Sequence, residues 1–174
     1  LWRWGFYDEV VDLRERLQCR LTDENFIEIN NGNLGFAFWV VGRVQESKQC
    51  LQNALAMTEK HGDTCRTAAW LGNLGLNYMS GGEIGQALDC FERALRIVRA
   101  TGDVQAHGTL LCDMAITYTE DGRFDEAIRC SEQGAQLAES AGDLRVASNA
   151  LSNLGMCSLY QGRGCAAEPF FRQG

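Results

Sequence analysis

Apolar residues along the chain fall into stripes of helical period that glycine interrupts at regular intervals. From about Thr64 to Ser80, Leu71, Leu74 and Tyr78 recur at i, i+3 and i+7, which places them on one face of an α-helix. From about Glu83 to Ala100, Ala87, Phe91, Ala94 and Val98 repeat that spacing. Gly81 and Gly82 divide the two stretches, and Gly102 ends the second, since glycine takes the left-handed conformation past a helix end without steric cost. Asp63 and Asp103 stand just before the stretches that follow, where a carboxylate accepts hydrogen bonds from the free N–H groups of a first turn. The pattern predicts a pair of helices, each with one apolar face.

The pair recurs. Asn73-Leu74-Gly75-Leu76-Asn77-Tyr78, followed by Gly82, Ala87, Phe91 and Ala94, becomes Asn33-Leu34-Gly35-Phe36-Ala37-Phe38, Gly42, Ser47, Leu51 and Ala54 on moving back forty residues. Forty forward it becomes Asp113-Met114-Ala115-Ile116-Thr117-Tyr118, Gly122, Ala127, Ser131 and Gly134, and a second step gives Asn153-Leu154-Gly155-Met156-Cys157-Ser158, Gly162, Ala167 and Phe171. A fixed period of this size marks a repeat protein, in which one unit cannot bury its own apolar face and stacked neighbours supply the core. The expected organisation is a single array over 1–174: a partial repeat 1–22, repeats at about 23–62, 63–102 and 103–142, and a partial repeat 143–174. Tyr7-Asp8-Glu9-Val10 parallels Phe124-Asp125-Glu126-Ala127, which makes Gly5 the counterpart of Gly122 and residues 6 to about 21 a second helix. Gly174 falls halfway through another second helix, so the chain reads as a fragment cut within a repeat at both ends. Eight helical segments and almost no strand are expected.

The order leucine, small residue, aromatic, glycine, alanine, aromatic, alanine in Leu74, Gly75, Tyr78, Gly82, Ala87, Phe91 and Ala94 resembles the tetratricopeptide repeat (TPR). The period of forty is similar to the longer-helix branch that includes Pins/LGN-like adaptors, kinesin light chains and the sensor arms of STAND-type regulators. Ser47, Ser131, Gly134 and Ser158 depart from the pattern and imply looser packing in the first, third and last units. The resemblance implies an all-α fold, a right-handed α-solenoid of stacked antiparallel helix pairs whose first helices line a concave groove.

Helix geometry then selects the residues that face such a groove. Opposite the Leu71–Leu74–Tyr78 stripe lie Ala69, Asn73, Leu76 and Ser80. Their equivalents are Ile29, Asn33, Phe36 and Val40; Thr109, Asp113, Ile116 and Glu120; and Asn149, Asn153, Met156 and Tyr160. Three asparagines and one aspartate form a ladder beside a row of apolar residues, flanked by Gly32, Gly72, Cys112 and Ser152, which leave room for a bound chain. An asparagine amide carries donor and acceptor and can pair with a peptide backbone; in resembling adaptors, asparagines at the corresponding place do so. Asn33, Asn73 and Asn153 could instead hydrogen-bond to neighbouring repeats and fix their register. Trp2, Trp4, Trp39 and Trp70 read as packing residues, and Arg93, Arg96 and Arg99 as a solvated helix face.

Composition narrows the classes. The 174 residues are 45% hydrophobic with one proline, an ordered chain too apolar for disorder. No run of eighteen apolar residues exists to span a membrane. The net charge of −7 has the wrong sign for a nucleic-acid partner and leaves a weak preference for basic ones. Cys50, Cys90 and Cys130 hold one place in three successive repeats, farther apart than the roughly 7 Å a disulfide spans. The eight cysteines therefore read as small buried hydrophobes of a reducing, cytoplasmic protein. No phosphate loop, nucleophile–base set or metal-ligand spacing occurs, so neither an enzyme nor a cofactor or metal is expected. The paired acids Asp8, Glu9, Asp125 and Glu126 are assigned to helix first turns, where the macrodipole favours them. The expected function is a protein-interaction scaffold that holds a peptide or partner helix in the groove. The alternative is the ligand- or signal-peptide-sensing arm of a larger regulator, joined to an effector domain.

Overall fold

The computed structural model describes residues 2–18, 20–162 and 170. Among them are eight α-helices and no strand: α1 (Trp2–Gln18), α2 (Glu24–Val40), α3 (Val44–His61), α4 (Thr64–Ser80), α5 (Ile84–Thr101), α6 (Val104–Glu120), α7 (Phe124–Ala141) and α8 (Leu144–Tyr160). The fold is an all-α helical-repeat solenoid of antiparallel helix pairs. Two compact units divide it, Leu1–Ala94 and Leu95–Gly174, with the boundary inside α5. In the first, α2 packs on α1, α3 and α4, and α3 on α4; in the second, α6, α7 and α8 all touch one another.

The repeat chemistry explains the boundaries. Asp23, Asp63, Asp103 and Asp143 cap α2, α4, α6 and α8, each side chain accepting from backbone N–H groups two or three residues on. Each such cap contributes about 1 kcal/mol. The backbone hydrogen bonds from Arg66 and Val146 hold the Asp63 and Asp143 carboxyls below their ordinary range. Gly82, at φ 75°, makes the left-handed turn out of α4.

Helix α1 departs from expectation. It starts at Trp2 and runs through Gly5, which the repeat register assigned to a turn. A lone glycine costs a helix only about 1 kcal/mol, and no second breaker stands beside it. Asp8 and Glu9 consequently lie beyond the first turn of α1, whereas Asp125 and Glu126 are in the first turn of α7 as expected. The final half-helix expected after Gly162 lies, apart from Phe170, outside the described residues.

Close helix approach depends on small residues. A β-carbon at Gly75 would sit 2.6 Å from the ring of fully buried Phe91, and one at Gly35 would sit 2.5 Å from Leu51 Cγ. Two of the serines that depart from the repeat pattern, Ser47 and Ser131, sit in closed packing. Both are fully buried, their hydroxyls donating to Gly35 O at 2.5 Å and Ala127 O at 2.9 Å. At Gly134 there is room: the nearest atom to an added β-carbon is Cys112 Sγ at 3.4 Å. Gly134→Ala is therefore expected to raise stability by about 1 kcal/mol through helix propensity. Gly75→Ala is expected to lower it by about 1–3 kcal/mol through overpacking. Urea midpoints of the two variants test the contrast, and a lowered midpoint for Gly134→Ala would show that α6 and α7 leave no space there.

None of the six described cysteines is in a disulfide. Cys90, Cys112 and Cys157 are buried, Cys50 and Cys130 half-buried; Cys65 is exposed, contrary to expectation, because it occupies the solvent side of the first turn of α4. Burial pushes the Cys90 thiol up to about 11 and the Cys112 thiol up to about 12. Among the described cysteines, a thiol reagent at pH 8 should therefore modify Cys65 first and leave Cys90 and Cys112 unmodified until the chain unfolds. After denaturation without reductant all eight thiols should titrate; finding fewer would reveal a bridge and overturn their reading as packing residues.

Candidate functional site

In the first unit the candidate stripe lies on α2 and α4. Ile29 and Phe36 are 36% and 38% exposed, and Asn33, Val40, Asn73 and Leu76 are half-buried. The side-chain amides of Asn33 and Asn73 make no hydrogen bond among the described residues. Ser80 is committed elsewhere: its hydroxyl accepts from Trp39 Nε1 at 2.9 Å and donates to Leu76 O at 2.9 Å. Trp39 also stacks at a tilt on Phe36, ring centroids 5.8 Å apart.

The space beside Gly32 does not stay open. A β-carbon there would lie 2.4 Å from the Trp70 ring, so the indole of α4 fills the gap that the glycine of α2 leaves. Trp70 is thus a packing residue, and its Nε1 donates to Glu28 Oε1 at 2.6 Å. Glu28 is wholly buried. Its Oε2 meets Arg66 Nη1 at 2.5 Å without a well-directed hydrogen bond, and Arg66 Nε binds Asp63 at 2.7 Å. A second polar cluster ties α1 to α2: Asn30 Nδ2 donates to Arg14 O at 3.1 Å, and Gln18 Nε2 donates to Asn31 Oδ1 at 3.2 Å.

Sequence reasoning missed these buried groups, and the repeat register held the signal. Glu28 stands where the other first helices have Ala68, Gly108 and Ser148, and Asn30 where they have Trp70, Leu110 and Ala150. Asn77, 1% exposed, replaces Ala37, Thr117 and Cys157; its Nδ2 bonds Asn73 O at 2.9 Å and its Oδ1 has no partner.

In the second unit the stripe lies on α6 and α8. Ile116 and Met156 are 37% and 40% exposed, Glu120 and Asn149 are exposed, and Asp113 and Asn153 are half-buried. Asn153 has a partner between repeats, its Nδ2 donating to Cys112 O at 3.1 Å. Tyr160 stacks on Phe124 with ring centroids 6.2 Å apart. Asp113 makes no side-chain hydrogen bond or ion pair among the described residues. Burial pushes its carboxyl up to about 6, while Arg145 pulls weakly the other way.

Along this stripe apolar side chains alternate with amides and with the carboxylates of Asp113 and Glu120. Two cavities of about 410 and 370 Å³ lie away from it. Gln52, Tyr78, Gln86 and Arg93 border the first, in the first unit; Arg99, His107, Gln133 and Gln136 border the second, in the second unit. Neither contains a candidate residue. Among the described residues no helix is long and apolar enough to cross a membrane, and no group of His, Cys, Asp and Glu could hold a metal ion.

Eight helices in pairs of forty-residue period define the class as a helical-repeat protein. Residues 26–100 match the tetratricopeptide repeat family, and the chain has the fold of the TPR superfamily. No curated protein matches it. Among solved structures it is similar to a Rap protein complexed with the Competence and Sporulation Factor (TM-score 0.87, 15% identity, 99% of this chain and 49% of that one). It is also similar to Bacillus thuringiensis PlcR in complex with the peptide PapR7 and DNA (TM-score 0.80, 14% identity, 99% and 64%). A third likeness is to the nearly identical TPR-like repeats of a Podosopora anserina chain assigned as a kinesin light chain (TM-score 0.76, 21% identity, 97% and 85%). At these identities the likeness is one of fold. The chain spans about half the length of the Rap protein and about two thirds that of PlcR.

Proposed function

We propose that this chain is a protein-interaction module that holds a peptide or partner helix against the outward stripe of its first helices. The observation that carries this reading is the pairing of accessible apolar side chains with unpaired amides: exposed Phe36 beside Asn33, and half-buried Leu76 beside Asn73. An apolar row takes up side chains of a bound segment, and amides at helical spacing take up its backbone groups. The folds of PlcR and the Rap protein, solved with the peptide PapR7 and DNA and with the Competence and Sporulation Factor respectively, support it by likeness. They also keep alive the narrower reading in which this chain senses such a ligand for an effector domain elsewhere.

Asn73→Ala tests the face. Leaving a ligand's backbone group unpaired costs about 1–3 kcal/mol, so affinity for a peptide selected on the wild-type protein should fall roughly five- to a hundredfold. The thermal midpoint should stay within the small change of a surface substitution, about ±0.5 kcal/mol. Leu76→Asp should weaken the same complex by placing a charge in the apolar row. Binding unchanged by both variants would remove this face from consideration.

A further inference from the structure

We propose that the face formed by α6 and α8 in the second unit binds a basic side chain, a lysine or arginine of the docked peptide, against Asp113. This deepens the reading that a peptide lies on the first-helix face and rests on it.

The repeat makes Asp113 conspicuous. The same rung is Asn33, Asn73 and Asn153 in the other first helices, so the local geometry accepts an amide of nearly equal size. The carboxylate is half-buried and has no hydrogen-bond or ion-pair partner among the described residues. Arg145, the nearest cation of α8, is exposed and directs its Nη2 to Thr109 Oγ1 at 3.3 Å instead. A carboxylate drawn out of water without a partner is unfavourable, and proteins ordinarily pair or replace such a group.

The surroundings fit a cation on an alkyl stem. Ile116, one turn along α6, and Met156 on α8 expose apolar surface on which the methylenes of lysine or arginine can lie. Glu120, two turns from Asp113 on the same stripe, adds a second carboxylate, this one exposed. The chain's net charge of −7 draws basic ligands from a distance. Because burial raises the Asp113 carboxyl only to about 6, it is mostly ionised at neutral pH and gains from a bound cation.

The test is selection of a random heptapeptide phage library on the immobilised wild-type chain, with Asp113→Asn as a parallel bait. Peptides selected on wild type are expected to share lysine or arginine at one position, and those selected on Asp113→Asn to lack that preference. Replacing the shared residue by norleucine in a synthetic peptide should weaken wild-type binding about tenfold or more. The same replacement should matter less than about twofold for Asp113→Asn. Ile116→Asp and Met156→Asp, each checked for helical content by circular dichroism, report whether the peptide lies on this face. Peptides that lose affinity for those variants yet show no basic preference, or an equal norleucine effect on both baits, overturn the assignment of Asp113 and leave the docking face standing. Peptides indifferent to both variants, or a library that yields none, overturn the docking face and the Asp113 assignment together.

Discussion

Replacing Glu28 with alanine is expected to destabilise the first unit by about 3 kcal/mol, more than loss of any surface charge. The carboxylate is completely buried between α2 and α4 and is the acceptor for Trp70 Nε1 at 2.6 Å. Removing it leaves an indole N–H without an acceptor, a loss of about 1–3 kcal/mol. It also deprives Arg66 of a contact at 2.5 Å, and breaking one side of a buried ion pair costs about 3–5 kcal/mol when the remaining charge stays dry. Arg66 does not stay dry. Its side chain is 31% exposed and keeps Asp63 at 2.7 Å, so the low end of that range applies. Glu28→Gln retains an acceptor for the indole and should cost about half as much. Glu28→Ala combined with Trp70→Phe removes donor and acceptor together, and the double variant should recover part of the loss. Urea unfolding followed by tryptophan fluorescence measures all of these. A loss under about 1 kcal/mol for Glu28→Ala would mean that water reaches the carboxylate site and replaces it.

That cluster shows where the sequence is legible and where it is not. Helix positions, the Asp63, Asp103 and Asp143 caps and the Gly75–Phe91 contact follow from a period of forty, because each is repeated and each has a local cause. The candidate stripe was legible as a set of helix positions. What each side chain does there was not, since that depends on partners forty residues away. Asn73 and Asn153 occupy equivalent rungs, yet only Asn153 finds a carbonyl, Cys112 O, within reach. Ser80 is exposed on the stripe, and the partner of its hydroxyl, Trp39, lies forty-one residues away in sequence. Gly32 was assigned to open space, but Trp70 fills it. Departures from the repeat are the informative positions: Glu28, Asn30 and Asn77 put polar groups where other units have small or apolar ones, and Asp113 puts a charge where the others have asparagine, so each must find partners inside or outside the chain.

Asp113→Asn is expected to stabilise the second unit by about 2–3 kcal/mol at pH 7.5, and the gain should vanish near pH 4. The folded chain raises this carboxyl to about 6 from an ordinary value of 3.8, chiefly through burial and against the pull of Arg145. Between those values the folded state binds the proton that the unfolded state has released, so stability falls as pH rises through this window. Above about 6 the whole penalty is present; below about 4 both states are protonated and it is gone. The amide never ionises, so the variant lacks this dependence, and other carboxylates common to both proteins cancel in the difference. Asparagine at the equivalent position in three other first helices indicates that the geometry tolerates it. The measurement is the difference in unfolding free energy between variant and wild type at pH 4, 5, 6, 7 and 7.5. A flat difference would mean that Asp113 is solvated or paired in solution. A difference that rises from near zero to a plateau above pH 6 would establish an uncompensated carboxylate, and a lysine-bearing peptide bound there should reduce the plateau for the wild-type chain.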